Sequence, residues 1–135
     1  MGSRSEADRA ERMRKQIGGR CVSFAGKRSL YECGCLLKKF SLALGNDSGL
    51  AHLARACGVR TGIIYGPTTS HFGFFPYGNP PFTVFEVPLF CRPCHAHGGT
   101  VCLRLDHRCM RRIDSQQVIH GLEELIRKNP QENSM

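Results

Sequence analysis

The sequence predicts an α/β domain built on a mainly parallel sheet. Three observations carry this. Short apolar, β-branched runs alternate with stretches of helical period, as in Ser41–Leu44 followed by Leu50–Cys57 and then Thr61–Tyr65. Helix-start chemistry recurs at the right places, with Ser or Asp three residues ahead of Glu or Gln. The chain has 135 residues, which suits one domain of ordinary size, and strands alternating with helices imply right-handed crossovers between parallel strands.

Each element follows in order. Ser3 with Glu6 is a capping box, and residues 5–16 are good helix formers with little apolar content, so a helix facing mostly water is expected until Gly18-Gly19 ends it. Arg20–Phe24 alternates apolar and polar residues and predicts a strand. Ser29 with Glu32 is a second capping box, opening a helix with Leu30, Cys33, Leu36, Leu37 and Phe40 near one face. Ser41–Leu44 predicts a buried strand, Gly45–Gly49 a turn, and Leu50–Cys57 a short helix closed by Gly58 in the left-handed conformation. Thr61–Tyr65 predicts a third strand, residues 66–82 a long Pro- and Gly-rich loop, and Thr83–Val87 a fourth strand. Residues 88–112 form an irregular Cys-rich insert. Asp114 with Gln117 caps a last helix with Val118, Ile119, Leu122, Leu125 and Ile126 on one stripe, and a disordered tail is expected over 130–135. The domain is therefore expected over 1–129. It begins on a helix where an α/β domain has normally just left a strand, so a missing front edge is expected.

Composition excludes some classes. No run of about 18 apolar residues is present to cross a bilayer as a helix. The first residues are charged and carry no apolar stretch, unlike a secretory signal. The formal net charge of +8 points to an anionic partner, and its even spread makes nucleic acid the lesser case. Eight cysteines without an export signal are expected to be reduced thiols in the cytoplasm. Cys21, Cys33, Cys35 and Cys57 stand singly among apolar residues and read as small core residues.

Ligands of parallel sheets bind beyond the carboxyl ends of the strands. The turn Asn46-Asp47-Ser48-Gly49 lies at such an end and opens a helix, whose free amides and dipole suit a phosphate. Gly49 allows close approach to the backbone, and Ser48 offers a hydroxyl. His52 lies one helical turn beyond Ser48 on the same face. Asp47 repels phosphate and better accepts hydrogen bonds from sugar hydroxyls. The plainer readings are that Asp47 or Ser48 is only a cap, His52 a packing residue, and Gly66-Pro67-Thr68-Thr69 an ordinary turn.

The run from Gly26-Lys27-Arg28-Ser29-Leu30 through Asn46-Asp47-Ser48-Gly49 and His52 to Gly66-Pro67-Thr68 resembles the C-terminal domain of glycosyltransferase family 9, the ADP-heptose:lipopolysaccharide heptosyltransferases. The later CRPC…C…HRCM segment resembles many members too. The resemblance implies a Rossmann-like parallel sheet, an incomplete C-terminal half of a GT-B fold, whose partner half holds the acceptor and the general base. By this resemblance Asp47 binds heptose hydroxyls, Ser48 and Gly49 hold the diphosphate with His52 beside them, and Thr68 lines the donor pocket. It implies inverting transfer by direct displacement without an essential metal, an ADP-sugar donor, and a lipopolysaccharide core acceptor at the inner face of the cytoplasmic membrane. Arg28 replaces the usual Thr after Gly-Lys. The acceptor half and its base are absent from this stretch of sequence, so little turnover is expected from the chain alone, and a separate acceptor domain is an expected partner.

Cys91, Cys94, Cys102 and Cys109 offer four soft ligands suited to a structural zinc. His95, His97 and His107 are alternative ligands. Reduced cysteines in a loop, or disulfides formed on isolation, are the plainer readings. Arg92, Arg104, Arg108, Arg111 and Arg112 surround this insert and face an anionic acceptor or membrane, or form a solvated face. Two other readings compete: a zinc-stabilised basic nucleic-acid-binding module, and a non-catalytic remnant that folds poorly.

Overall fold

The computed structural model describes residues 1–70, 81–94, 101–102 and 104–127. His71, His95, His97 and the expected tail over 130–135 lie outside the described residues. By compactness the chain divides into two units, residues 1–39 and 40–135.

The first unit is helical. A short 3-10 turn at Arg4–Glu6 runs into α1 (Ala7–Ile17). The Ser3 amide donates to Glu6 Oε2 at 2.7 Å and the Ser3 hydroxyl to the same oxygen at 2.6 Å, so the predicted box is formed, and these bonds hold the Glu6 carboxyl below its ordinary range. No residue of α1 is buried, in line with a helix facing water. Gly18 ends it with φ +69°.

The predicted strand over Arg20–Phe24 is not formed: these residues are in no strand, and Val22 is 68% exposed. Alternation of side chains is only half of what a strand needs; the other half is a hydrogen-bonded neighbour, and none is present for this segment among the described residues. The second capping box is formed as predicted, with the Ser29 amide donating to Glu32 Oε2 at 2.8 Å and the Glu32 amide to Ser29 Oγ at 3.3 Å. It opens α2 (Leu30–Leu37). Cys33 and Leu37 are buried, whereas Leu30 stays 67% exposed and Phe40 lies beyond the helix.

The second unit carries the sheet. β1 (Leu42–Asn46), β2 (Arg60–Ile64) and β3 (Phe82–Phe85) lie in the order β1-β2-β3, and both pairings are parallel. Leu44 stands opposite Gly62, and Gly62 opposite Thr83. Helix α3 (Gly49–Ala56) connects β1 to β2 and packs on both; α5 (Ser115–Arg127) packs on β2 and β3. Successive residues of a strand face opposite sides. Ile63 joins Ala51 of α3 in the core, while a side chain at Gly62 would point at Leu122 of α5. The two helices therefore cover opposite faces of the sheet, as an α/β layer requires.

The central strand is the most enclosed, with Thr61, Gly62 and Ile63 all buried. Tyr65, just past its end, is wholly buried. The predicted C-cap at Gly58 has φ +81°, and Val59 N–H reaches back to Ala54 O at 3.0 Å. Helix α5 buries Val118 and Leu125, while Ile119 and Ile126 are half exposed. Asp114 accepts from the Gln116 amide at 3.0 Å, supplying the expected cap. The insert is not wholly irregular: residues Arg108–Arg111 form a one-turn helix, α4.

Gly62 has no room for a side chain. A Cβ there would stand 2.7 Å from Leu122 Cδ2 and 3.1 Å from both Leu44 Cδ1 and Phe85 Cε2. Gly62→Val is expected to cost about 1–3 kcal/mol through overpacking, read from the shift in a urea denaturation midpoint at unchanged slope.

Candidate functional site

The site is built where β1 ends. The Asp47 amide donates to Ile64 O at 3.0 Å, continuing the β1–β2 ladder one residue past the strand and fixing Asp47 at the sheet's carboxyl edge. Ser48 then turns the chain into α3 with extended dihedrals, φ −157° and ψ 161°. Its hydroxyl makes no capping bond, so the cap-only reading of Ser48 does not describe this turn. Ser48 and Gly49 are exposed, and a Cβ at Gly49 would meet nothing within 4 Å. The backbone at the start of α3 is open to approach from outside.

His52 faces back across this turn. Its Nε2–H donates to Asp47 Oδ1 at 3.2 Å, with the Asp47 side chain 12% exposed and that of His52 35% exposed. Of the sequence-predicted residues, Asp47, Ser48, Gly49 and His52 are thus brought together on one turn. The pairing orients the imidazole, and it leaves the carboxylate with further acceptor capacity for hydroxyl groups.

Thr68 is placed differently. It is buried, and its carbonyl accepts from Arg92 Nη2 at 2.7 Å. Arg92 organises this whole corner. Its Nε donates to Gly66 O at 2.6 Å, its Nη1 to Val87 O, and its Nη2 also to Glu86 Oε2 at 2.8 Å. The Arg92 side chain is only 6% exposed. The expectation that it faces solvent, a membrane or an acceptor is therefore corrected, because its donors are spent on converging carbonyls and one carboxylate. Two further contacts hold the same loop. The Cys94 amide donates to Pro67 O at 2.9 Å, and Met110 of α4 lies where a side chain on Gly66 would be.

Tyr65 connects the two corners. Burial, then the charges of Asp47 and Glu86, push its phenol up to about 12, so it stays neutral at any physiological pH. Sequence reasoning missed Tyr65 and Glu86 and placed Arg92 on the surface. The available signal was Arg92 lying in a Pro- and Gly-rich context, where carbonyls lack strand partners and need a donor from elsewhere.

The other insert arginines behave as surface groups. Arg108 pairs with Asp106 at 2.7 Å and Arg104 with the same carboxylate at 3.8 Å, while Arg104 also lies over the Phe90 ring at 5.2 Å. Arg111 and Arg112 are exposed. All four insert cysteines are free thiols; Cys109 is buried, Cys91 and Cys102 are half-buried, and Cys94 is exposed. The neighbouring backbone amides of His107, then of Arg104 and Asp106, draw the Cys102 thiol below its ordinary range. Partial desolvation raises that of Cys94, helped by the nearby Cys91, Cys109 and Cys102. As placed, no three His, Cys, Asp or Glu side chains among the described residues converge as a metal-ligand cluster.

A three-stranded parallel sheet covered by helices on both faces, with a helix start beyond its carboxyl edge, defines an α/β fold of the Rossmann-like kind. The sequence profile of glycosyltransferase family 9 (heptosyltransferase) matches residues 1–99, and the chain belongs to this family. Lipooligosaccharide heptosyltransferase 2 of Campylobacter jejuni is 30% identical over 88 residues, covering 65% of this chain and 26% of that protein. The enzyme of the same name from Haemophilus influenzae is 38% identical over 52 residues, covering 38% of this chain and 15% of that one. The chain thus spans about a quarter of the length of the Campylobacter relative. A crystal structure of a family 9 glycosyl transferase from Veillonella parvula superposes with a TM-score of 0.73 at 21% identity, covering 95% of this chain and 36% of that one, which shows the shared fold. Among the described residues no helix is long and apolar enough to cross a membrane.

Removing the Arg92 guanidinium should leave Glu86 and three carbonyls short of a donor. Arg92→Met is expected to destabilise the chain by roughly 3 kcal/mol, at the low end for breaking a buried pair because Glu86 keeps part of its exposure. Arg104→Met, at a surface pair, is expected to stay within about 0.5 kcal/mol of wild type in the same urea denaturation.

Proposed function

We propose that this chain is the donor-binding half of a heptosyltransferase-type glycosyltransferase, with residues 1–129 acting as one domain that holds an ADP-sugar at the Asp47–His52 turn. The observation that carries this is the open backbone at Ser48-Gly49 beside the Asp47–His52 pair, at the carboxyl edge of a parallel sheet. The names of the Campylobacter and Haemophilus relatives support a heptose as the sugar and a lipopolysaccharide-type core as its acceptor.

In this reading the diphosphate lies over the first turn of α3. The amides and dipole of that turn offset its charge, and they gain importance as the glycosidic bond breaks and negative charge builds on the departing ADP. Ser48 donates its hydroxyl to a phosphate oxygen. With both ring nitrogens protonated, His52 donates Nε2–H to Asp47 and offers Nδ1–H to a second phosphate oxygen. Asp47 accepts from hydroxyls of the sugar, and Thr68 lines the pocket from its buried loop. The attacking acceptor hydroxyl and the base that deprotonates it come from a separate acceptor domain, at the cytoplasmic face of the membrane. The chain alone then binds donor and turns over little, since lost general-base catalysis alone costs ~10²–10⁴ in rate.

The test is calorimetric titration of the folded 135-residue chain with ADP and with ADP-heptose. Saturable binding of both is expected. His52→Ala should weaken both ligands about tenfold, the scale of one charge-assisted hydrogen bond. Asp47→Ala should weaken ADP-heptose more than ADP, because its partner is the sugar. Absence of saturable binding by the folded chain, or equal affinity in wild type and both variants, would overturn the assignment.

A further inference from the structure

The first unit holds most of the chain's charge. Residues 1–39 carry ten Lys and Arg against four Asp and Glu, which is +6 of the formal +8. Three of the four acids are already engaged. Glu6 belongs to the Ser3 capping box, Glu11 pairs with Arg14 at 2.7 Å, and Glu32 caps at Ser29 and pairs with Arg28 at 3.4 Å. Arg9, Arg12 and Lys15 of α1 are exposed and make no ion pair among the described residues.

The same unit turns its larger apolar side chains outward. The partly covered stripe of α1 is Ala7, Ala10, Glu11 and Arg14, the i, i+3, i+4, i+7 spacing of a helix's inner face. A helix that merely faced water would put its apolar bulk on that stripe. Instead Met13 is 54% exposed and Ile17 67%. Arg9, Met13 and Ile17 follow one another at four-residue steps, so they form one row along α1, and Arg12 borders it. The start of α2 repeats the pattern: Leu30 and Tyr31, the latter 82% exposed, follow the exposed Lys27 and Arg28. The Gly26 amide donates to Gly2 O at 2.9 Å, which ties the loop ahead of α2 to the start of the chain.

We propose that this unit docks on an anionic lipid bilayer, with α1 lying in the headgroup plane. Met13 and Ile17 enter the acyl boundary, while Arg9 and Arg12 hold acidic headgroups beside them. A helix with an apolar row flanked by arginines has the make-up of one that lies in a membrane interface. The excess of cations is complementary to acidic lipid. A nucleic acid would use the arginines and gain nothing from a bare Met13–Ile17 row, whereas a bilayer uses both. Leu30 and Tyr31 enlarge the unit's apolar surface, and a tyrosine ring with its polar tip suits the boundary between acyl chains and water. This deepens the reading above, in which the acceptor lies at a membrane, and it needs no donor to be tested.

The experiment is co-sedimentation of the full chain with vesicles, without nucleotide. Vesicles of phosphatidylcholine with about 30% phosphatidylglycerol should bind the chain at least tenfold more tightly than phosphatidylcholine alone. High salt should weaken that binding. Replacing Met13→Gln together with Ile17→Gln should cost about tenfold in affinity for the anionic vesicles, and Arg9→Gln together with Arg12→Gln about as much. Glutamine keeps helix propensity, and all four side chains are exposed, so the variants should keep the wild-type circular dichroism spectrum. Arg111→Gln together with Arg112→Gln, also exposed but in the other unit, should change affinity less than about twofold. The proposal is overturned if the chain sediments with neither vesicle or with both alike. It is overturned as well if the Met13 and Ile17 pair binds like wild type, or if the Arg111 and Arg112 pair loses as much as the α1 arginines, since either result leaves only diffuse charge attraction. A DNA duplex that binds more tightly than the anionic vesicles at the same salt, or a dimer dissolved by the Met13 and Ile17 substitutions, would assign the face to another partner and overturn it too. No outcome here bears on the ADP titration, because no nucleotide is present.

Discussion

A guanidinium placed where water cannot reach it must find its partners in the protein, and Arg92 shows what that demands. Removing such an ion from water costs several kcal/mol even after relaxation. The protein offsets this by aiming the Gly66, Thr68 and Val87 carbonyls and the Glu86 carboxylate at one side chain. These groups come from two chain segments, one following β2 and one following β3, and the arginine belongs to the insert. No one of them can shift without stranding a buried donor or acceptor. The loop carrying Gly66 and Thr68 is thereby set by a residue far along the chain.

The same economy operates on the other side of the sheet's carboxyl edge. Asp47 and Tyr65 continue the ladders beyond the strands, Asp47 through Ile64 O and Tyr65 through Phe85 O. Backbone paired in this way opens less readily than a free loop. Tyr65, buried between the charges of Asp47 and Glu86, lies between the α3 turn and the Arg92 corner.

What could be read from the chain was local. Capping boxes at Ser3 and Ser29, the glycine stop at Gly58 and the Asp47–Gly49 turn each express chemistry within a few residues, and each is formed. The three strands of the sheet were legible to within two residues because the apolar runs are short and bounded by turn residues, although the burial expected of Ser41–Leu44 is not found, Leu44 being 49% exposed. The strand expected over Arg20–Phe24 failed because pairing is non-local, and alternation says nothing about whether a neighbour exists. Arg92 was misread for the same reason. A charged residue in a basic segment is usually solvated, and only the fold brings the carbonyls that overturn the usual case.

Two glycines on the carboxyl edge of the sheet separate structural need from functional need. The space a side chain would take at Gly66 is filled by Met110, whose sulfur would be 2.6 Å from a Cβ there. That glycine is required by the protein's own packing. At Gly49 a Cβ would meet nothing within 4 Å, and the backbone is not in the left-handed region that calls for glycine. Neither packing nor conformation accounts for a glycine at the first residue of α3, where alanine would favour the helix by up to about 1 kcal/mol. What it does provide is bare backbone N–H at a helix start, next to an acceptor and a donor already paired at 3.2 Å. The proposed donor site gives this glycine a reason, since a diphosphate lying over the first turn of α3 needs bare backbone close to it.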